Sequence, residues 1–125
     1  RGVRDREVQR LMALAAQQVP VGDELLLAGF KEQHLLFALQ PVRHYPYLLG
    51  DGEQAREAAA WVAAGPRRHV LGSADIMTVC FDAVRMTNLG NRHRTDWLLA
   101  GADALKPECR GLSPQIEPFS YTPGP

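Results

Sequence analysis

Two short clusters of polar and charged side chains are the candidates for chemistry in this sequence. The first, Lys31, Glu32 and Gln33, directly follows the apolar run 25–28, which is typical of a strand buried on both faces. Ligands of parallel α/β folds bind outside the carboxyl ends of strands, so this position predicts a binding role. The structural alternative is the first turn of a helix, where the helix dipole favours Glu32.

The second cluster brings three basic groups, a carboxylate and an indole into residues 91–97. The side chains predicted to bind a ligand there are Arg92, His93, Arg94 and Asp96. Guanidinium groups contact phosphate in a bidentate manner, so the cluster predicts a site for an anionic ligand such as a phosphate or a lipid head group. The structural alternative is a strand with alternating exposed charges that enters the core at Trp97.

Other catalytic and cofactor-binding patterns are absent from the sequence. The glycines form neither a G-x-G-x-x-G fingerprint nor a P-loop, and there is no G-x-S-x-G nucleophile elbow. The histidines are scattered without H-x-x-x-H spacing, which favours packed or exposed side chains over a metal cluster: His34, His44, His69 and His93. No catalytic residue, metal or cofactor is therefore predicted, and a small hydrolase is disfavoured because no nucleophile–base pair stands out.

The two cysteines, Cys80 and Cys109, are too few for a disulfide framework or for a zinc site, which needs about four ligands. Cys80 lies in an apolar context and Cys109 in a polar, proline-rich one. The pattern favours one buried thiol and one incidental thiol, because free cysteine packs well as a small apolar residue. The alternative is a bridge that ties down the end of the chain in an oxidising compartment.

Composition limits the class of protein and its partners. A chain of 125 residues with 46% apolar residues fits one globular domain. Basic and acidic side chains balance at 14 each, which argues against a dedicated nucleic-acid binder but allows a local basic patch. No apolar run approaches the ~20 residues of a membrane-spanning helix. The chain starts without Met inside a predicted helix, so we expect a piece of a longer protein.

Predicted helices and strands alternate along the chain and must position both clusters. The predicted helices are Val3–Val19, Lys31–Gln40, Glu53–Ala64 and one from Ala74 to Cys80 or Phe81. The predicted strands are Asp23–Phe30, Pro41–Tyr45, a short strand centred on residues 69–71 within Arg67–Gly72, Asp82–Leu89 and His93–Ala100. A turn is predicted at Gly90-Asn91. Arg4, Arg6 and Arg10 are expected to form a solvated face of the first helix.

This alternation predicts one α/β domain over residues 1–100, with a mainly parallel sheet of about five strands flanked by helices. The last two strands are expected to be antiparallel, because parallel neighbours need a longer connection. Residues 101–125 are rich in proline and are predicted to form an extended tail.

A set of short motifs follows a definite order between Asp23 and Ala100. The motifs are Phe30-Lys31-Glu32-Gln33, Pro41, Cys80-Phe81, Leu89-Gly90, His93-Arg94, Asp96-Trp97 and Leu99. In this order they resemble the C-terminal soluble segment of bacterial GT-C membrane glycosyltransferases related to the lipid A aminoarabinose transferase and the protein O-mannosyltransferases. One departure is Gln40, where arginine is more usual before the proline.

The resemblance implies a parent protein with many membrane spans that transfers a sugar from a polyprenyl-phosphate donor to lipid A or a protein. Its catalytic carboxylate belongs to the membrane region, so this chain is expected to be a non-catalytic domain at the periplasmic face of the inner membrane. The implied partners are the membrane region of its own parent chain and lipid phosphates facing Arg92, His93 and Arg94. The alternative is a free-standing α/β module that binds a nucleotide or a sugar.

Overall fold

The fold is built around a strand of apolar residues, β1 (Glu24–Ala28). The computed structural model describes residues 3–29, 42–45 and 49–121. The side chains of Leu25 to Ala28 are all buried. Because β1 is buried on both faces, it needs a strand on either side and a layer of structure above and below the sheet. The rest of the described chain supplies them.

The helices and the remaining strands follow in chain order. They are α1 (Val3–Gln18), β2 (Val42–His44), α2 (Asp51–Ala63), β3 (Arg68–Ser73), α3 (Ala74–Cys80), β4 (Thr87–Arg92), β5 (Thr95–Gly101) and β6 (Phe119–Tyr121). Short 3₁₀ turns lie at Ala83–Arg85, Ala102–Ala104 and Pro107–Cys109. The predicted α/β class is confirmed, and the predicted helix Lys31–Gln40 lies outside the described residues.

In the described residues the sheet has six strands in the spatial order β4-β5-β3-β1-β2-β6. β1 pairs in parallel with β2 and β3, and Leu26 lies opposite Arg43 and Val70. The other three pairs are antiparallel, including β4 with β5, as predicted, so the sheet is mixed rather than mainly parallel. β2 and β3 lie on opposite sides of β1, so their connection crosses β1 and carries α2, as a parallel crossover requires.

Alternation along the strands divides the core into two layers. Leu26 and Ala28 belong to the layer under α2 and α3, whereas Leu25 and Leu27 belong to the layer under α1. The first layer also buries three side chains of α2: Ala58, Trp61 and Val62. Each large apolar side chain buried in this way contributes about 1.5–3 kcal/mol to folding, so both layers stabilise the sheet.

The C-terminal strap, residues 102–121, packs across α2 and α3 before it joins the sheet as β6. The Lys106 N–H donates to the Cys80 carbonyl at 2.8 Å. Leu105 is buried in the core, and Leu112 and Ile116 are half-buried against it. This differs from the expected extended tail, because the strap is held by contacts with residues distant in sequence, which no local pattern reveals.

A disulfide between Cys80 and Cys109 attaches the strap to α3. The interpretation of two free thiols is therefore wrong, and the alternative of a bridge that ties down the end of the chain is correct. The cysteines are 29 residues apart in sequence, but their Cα atoms lie 5.5 Å apart, within the range that a disulfide spans. The bridge forms because the strap folds back over α3, which composition and spacing do not show.

Candidate functional site

The second predicted cluster lies at the tip of the hairpin formed by β4 and β5. The two loop residues, His93 and Arg94, have φ angles of 55° and 62°. Positive φ at both central residues is the signature of a type I′ turn. The predicted turn at Gly90-Asn91 is wrong: Gly90 has a φ of 126° and lies within β4, where the register with β5 shifts. A glycine at such an irregularity permits the local backbone conformation.

The hairpin sends the predicted ligand-binding residues in different directions. Arg92 is only 4% exposed, and its Nε lies 3.8 Å from Oε2 of Glu7 on α1. Asp96 accepts a 3.1 Å hydrogen bond from the Asn91 side chain on the opposite face of the hairpin. The structure thus brings His93 and Arg94 together at the tip and separates Arg92 from Asp96.

Helix α1 lies alongside β4, with its amino end toward the hairpin tip. Glu7 is close to Arg92, and one turn later Arg10 Nη2 reaches the Asn91 carbonyl at 3.5 Å. Arg6 lies one turn before Arg10 on the same side of the helix. These two exposed arginines were assigned only to a solvated face, because the sequence gives no signal that joins positions about 80 residues apart.

The first predicted cluster, Lys31, Glu32 and Gln33, lies outside the described residues. The structure does show the end of the strand that precedes it. Gly29 follows β1 with a φ of 86°, and its N–H donates to Oε1 of the buried Gln54 at 2.8 Å. A Cβ added at Gly29 would lie 2.8 Å from Ser73 Oγ, so this position requires glycine.

A separate network of charges lies at the amino ends of the parallel strands. Glu24 binds Arg43 at 2.7 Å and Arg68 at 3.5 Å. Partial burial alone would raise the pKa of Glu24, but the hydrogen bond and charge of Arg43, together with Arg68, hold it below its ordinary value. Arg68 also donates to the Trp61 carbonyl at 2.7 Å, and its guanidinium lies 4.6 Å above the indole ring.

The same network contains a histidine–carboxylate pair. His69 Nε2 lies 2.9 Å from Oδ2 of Asp23, and Arg67 lies 4.0 Å from the other carboxylate oxygen. This edge is opposite the one where ligands of parallel α/β folds bind. The groups bind one another, so their arrangement holds the starts of β1 and β3 together.

Two buried polar side chains of α2 hydrogen-bond to the backbone of other segments and hold them against the helix. Gln54 holds Gly29, and the Glu57 carboxylate accepts hydrogen bonds from the backbone N–H groups of Gln115 and Ile116 at 2.9 and 3.0 Å. The Tyr45 hydroxyl donates to the Glu57 carbonyl at 3.1 Å. Burial, together with the Glu57 charge, raises the pKa of Tyr45 above its ordinary value. These contacts are structural anchors that sequence reasoning missed.

No protein-family model, curated protein or solved structure matches the chain. Within residues 3–29, 42–45 and 49–121, no group of three His, Cys, Asp or Glu side chains is placed to hold a metal ion. None of the helices in those ranges has the length and apolarity needed to cross a bilayer.

Proposed function

We propose that this chain is a non-catalytic, extracytoplasmic domain of an integral-membrane glycosyltransferase. The parent protein transfers a sugar from a polyprenyl-phosphate donor to lipid A or to a protein acceptor. The order of motifs that resembles the GT-C transferases supports the identity of the parent. The disulfide between Cys80 and Cys109 is the structural observation that carries the extracytoplasmic location.

The disulfide is part of the core rather than an exposed, exchangeable bond. Cys80 is 0% exposed and Cys109 is 6% exposed, and both belong to the layer under α2 and α3. A bridge that closes a loop of this length contributes about 3–4 kcal/mol to stability, in a model in which the crosslink restricts the unfolded chain. Bonds of this kind persist outside the reducing cytosol, which supports a periplasmic location.

The described charges support a non-catalytic role. Both cysteines are oxidised, so neither supplies a thiolate nucleophile. The pair of Asp23 and His69 lies within a network of ion pairs at the amino ends of the strands. Arg92 is buried against Glu7. These groups stabilise the fold, and the chemistry of the parent is assigned to its membrane region.

The first test is the coding sequence upstream of Arg1. The proposal expects several apolar runs of ~20 residues there, each long enough to cross the bilayer. An upstream sequence without such runs would overturn the membrane origin of the domain.

The second test is the oxidation state of the two cysteines in the cell. In the parent protein, with all other cysteines replaced by serine, we expect no maleimide labelling after denaturation until a reductant is added. The control is the 125-residue chain directed to the cytosol, where both thiols should label without reductant. Equal labelling of the two preparations would contradict the extracytoplasmic location.

One observation favours a second candidate, a free-standing ligand-binding module. The parallel strands are ordered β2-β1-β3, so the strand that follows β1 lies on one side of it and the next strand lies on the other. In open α/β sheets this reversal creates a crevice at the carboxyl ends of the strands, where nucleotides or sugars bind. This candidate predicts an upstream sequence without apolar runs.

A further inference from the structure

We infer that one edge of the domain docks on an anionic lipid bilayer. The basic edge consists of four exposed side chains from α1 and the tip of the β4–β5 hairpin: Arg6, Arg10, His93 and Arg94. The inference deepens the proposed function, on which it rests for its membrane context, by naming the surface that meets the lipid. It also replaces the predicted set of Arg92, His93, Arg94 and Asp96 with one that the fold brings together.

The packing of α1 against β4 assembles the basic edge. Glu7 lies near Arg92, and Arg10 lies near Asn91, so α1 runs away from the hairpin tip. A Cβ added at Gly90 would lie 3.0 Å from Nη1 of Arg10, which shows how closely this arginine lies over β4. The amino end of α1 and the hairpin tip therefore lie at the same end of the domain.

Two acidic side chains near the basic edge, Glu7 and Asp96, have partners of their own. Glu7 has its carboxylate beside the guanidinium of the buried Arg92, which cancels both charges locally. Asp96 is on the other face of the hairpin and accepts a hydrogen bond from Asn91. Among the described side chains at this end of the domain, the three arginines of the basic edge leave an excess of positive charge over the exposed carboxylate of Asp96, although the whole chain has no net charge.

The backbone conformation at the hairpin tip independently indicates a function for the side chains there. His93 and Arg94 both adopt positive φ, which non-glycine residues rarely do. Asn-Gly is the pair that two-residue hairpin loops favour. Two basic side chains at positions whose backbone conformation disfavours them indicate a use for those side chains, because such conformations concentrate at functional sites.

A bilayer fits this surface better than a nucleic acid does. Nucleic-acid binders carry a basic excess, and this chain has none. The buried disulfide favours a compartment outside the cytosol, away from the nucleic acids of the cell. In the proposed parent protein, in which this domain follows the membrane region, docking of the basic edge would bring the amino end of α1 to the bilayer.

The expected strength of lipid binding is suited to orienting a domain that is tethered to the membrane. Each arginine near an anionic surface strengthens binding about fivefold, so the three arginines together supply about a hundredfold. This is too little to recruit a free protein tightly. It is enough to fix the orientation of a domain that is held near the bilayer by its own chain.

The test is co-sedimentation of the 125-residue chain with vesicles at low salt. We expect binding to vesicles of equal parts phosphatidylcholine and phosphatidylglycerol, and none to phosphatidylcholine alone. The double variant Arg10→Gln/Arg94→Gln should bind about 25-fold more weakly. The matched control, Arg56→Gln/Arg85→Gln, removes two exposed arginines from the opposite side of the sheet and should bind within about twofold of wild type.

Three results would overturn the inference: equal binding to both kinds of vesicle, equal losses in the two double variants, or preferential binding of a single-stranded oligonucleotide. Circular dichroism verifies the fold of each variant, and Arg94→Gln alone repeats the comparison at an exposed loop position if the double variant unfolds. The vesicles test only this surface. A negative result with apolar runs upstream would therefore remove the docking surface but not the proposed function.

Discussion

The charge network at the amino ends of the parallel strands and the basic edge contain similar residues in opposite arrangements. In the network, Glu24 lies between Arg43 and Arg68, and Asp23 binds His69. At the basic edge, Glu7 lies beside the buried Arg92, Asp96 accepts a hydrogen bond from Asn91, and the arginines face solvent. The difference shows that pairing in the fold, rather than the number of charges in a segment, separates a structural cluster from a candidate binding surface.

The hairpin contains a buried, paired arginine and an exposed one within three residues. It therefore gives the largest expected difference in stability between two variants. Arg92→Met retains most of the apolar stem but leaves the Glu7 carboxylate without its guanidinium, and we expect a loss of about 2 kcal/mol in the free energy of unfolding. Urea denaturation measures this loss. The matched change Arg94→Met, at the exposed tip, should stay within about 0.5 kcal/mol of wild type. Equal losses of stability for both variants would contradict the distinction between a structural Arg92 and a solvent-exposed Arg94.

The turn provides the next largest effect, with the opposite sign. His93→Asn/Arg94→Gly replaces two residues at positive φ with the pair that a type I′ turn favours, and we expect stabilisation by about 1–2 kcal/mol. Thermal unfolding measures the gain. The same variant should lose affinity for anionic vesicles, because it lacks Arg94. A more stable variant with unchanged vesicle binding would show that the tip does not contact lipid.

A smaller loss is expected when the network is broken at Glu24. Glu24→Gln removes the charge that binds Arg43 and Arg68 and should cost about 0.5–1 kcal/mol, since solvent screens a carboxylate that is 36% exposed. Vesicle binding should not weaken, because the network is separate from the basic edge. Weaker binding to vesicles in this variant would contradict that separation.

The smallest effect is the pH dependence that Glu24 contributes. Its pKa is lower in the folded protein than in the unfolded chain. The unfolded state therefore binds the proton more readily, so this contribution is present above the unfolded pKa and is lost as pH falls through the folded pKa. In urea titrations across the acid range, wild type should lose more stability than Glu24→Gln. Parallel curves would show that the ion pairs do not favour the charged carboxylate.

Local patterns in the sequence predicted much of the fold. The apolar run 25–28 predicted β1, and the helix formers before Gly65-Pro66 predicted α2 to within two residues at each end. The hairpin turn was misplaced because Gly90-Asn91 is a common turn signal, whereas His93 and Arg94 are rare at positive φ. That turn depends on the pairing of β4 with β5 rather than on local preference.

The candidate site was less predictable, because distant segments assemble it. Arg10 meets Asn91 only when α1 packs on the sheet, and Cys109 meets Cys80 only when the strap crosses α3. Arg92 and Asp96 are close in sequence, but strand alternation sends them to opposite faces of the hairpin. The face of the strand on which each residue lies decides which residues of a charged segment are exposed. Because the turn was predicted at the wrong position, this assignment to faces could not be made from the sequence.

Docking through the basic edge is tested most directly by NMR chemical-shift mapping of the chain with bicelles that contain phosphatidylglycerol. We expect shifts at residues 6–10 and 91–95, and none at residues 23–24, 43 and 67–69. Neutral bicelles should leave all of these resonances unchanged. Shifts at the amino-end network, or the same shifts with neutral bicelles, would contradict docking of this domain on an anionic membrane through the exposed arginines of the basic edge.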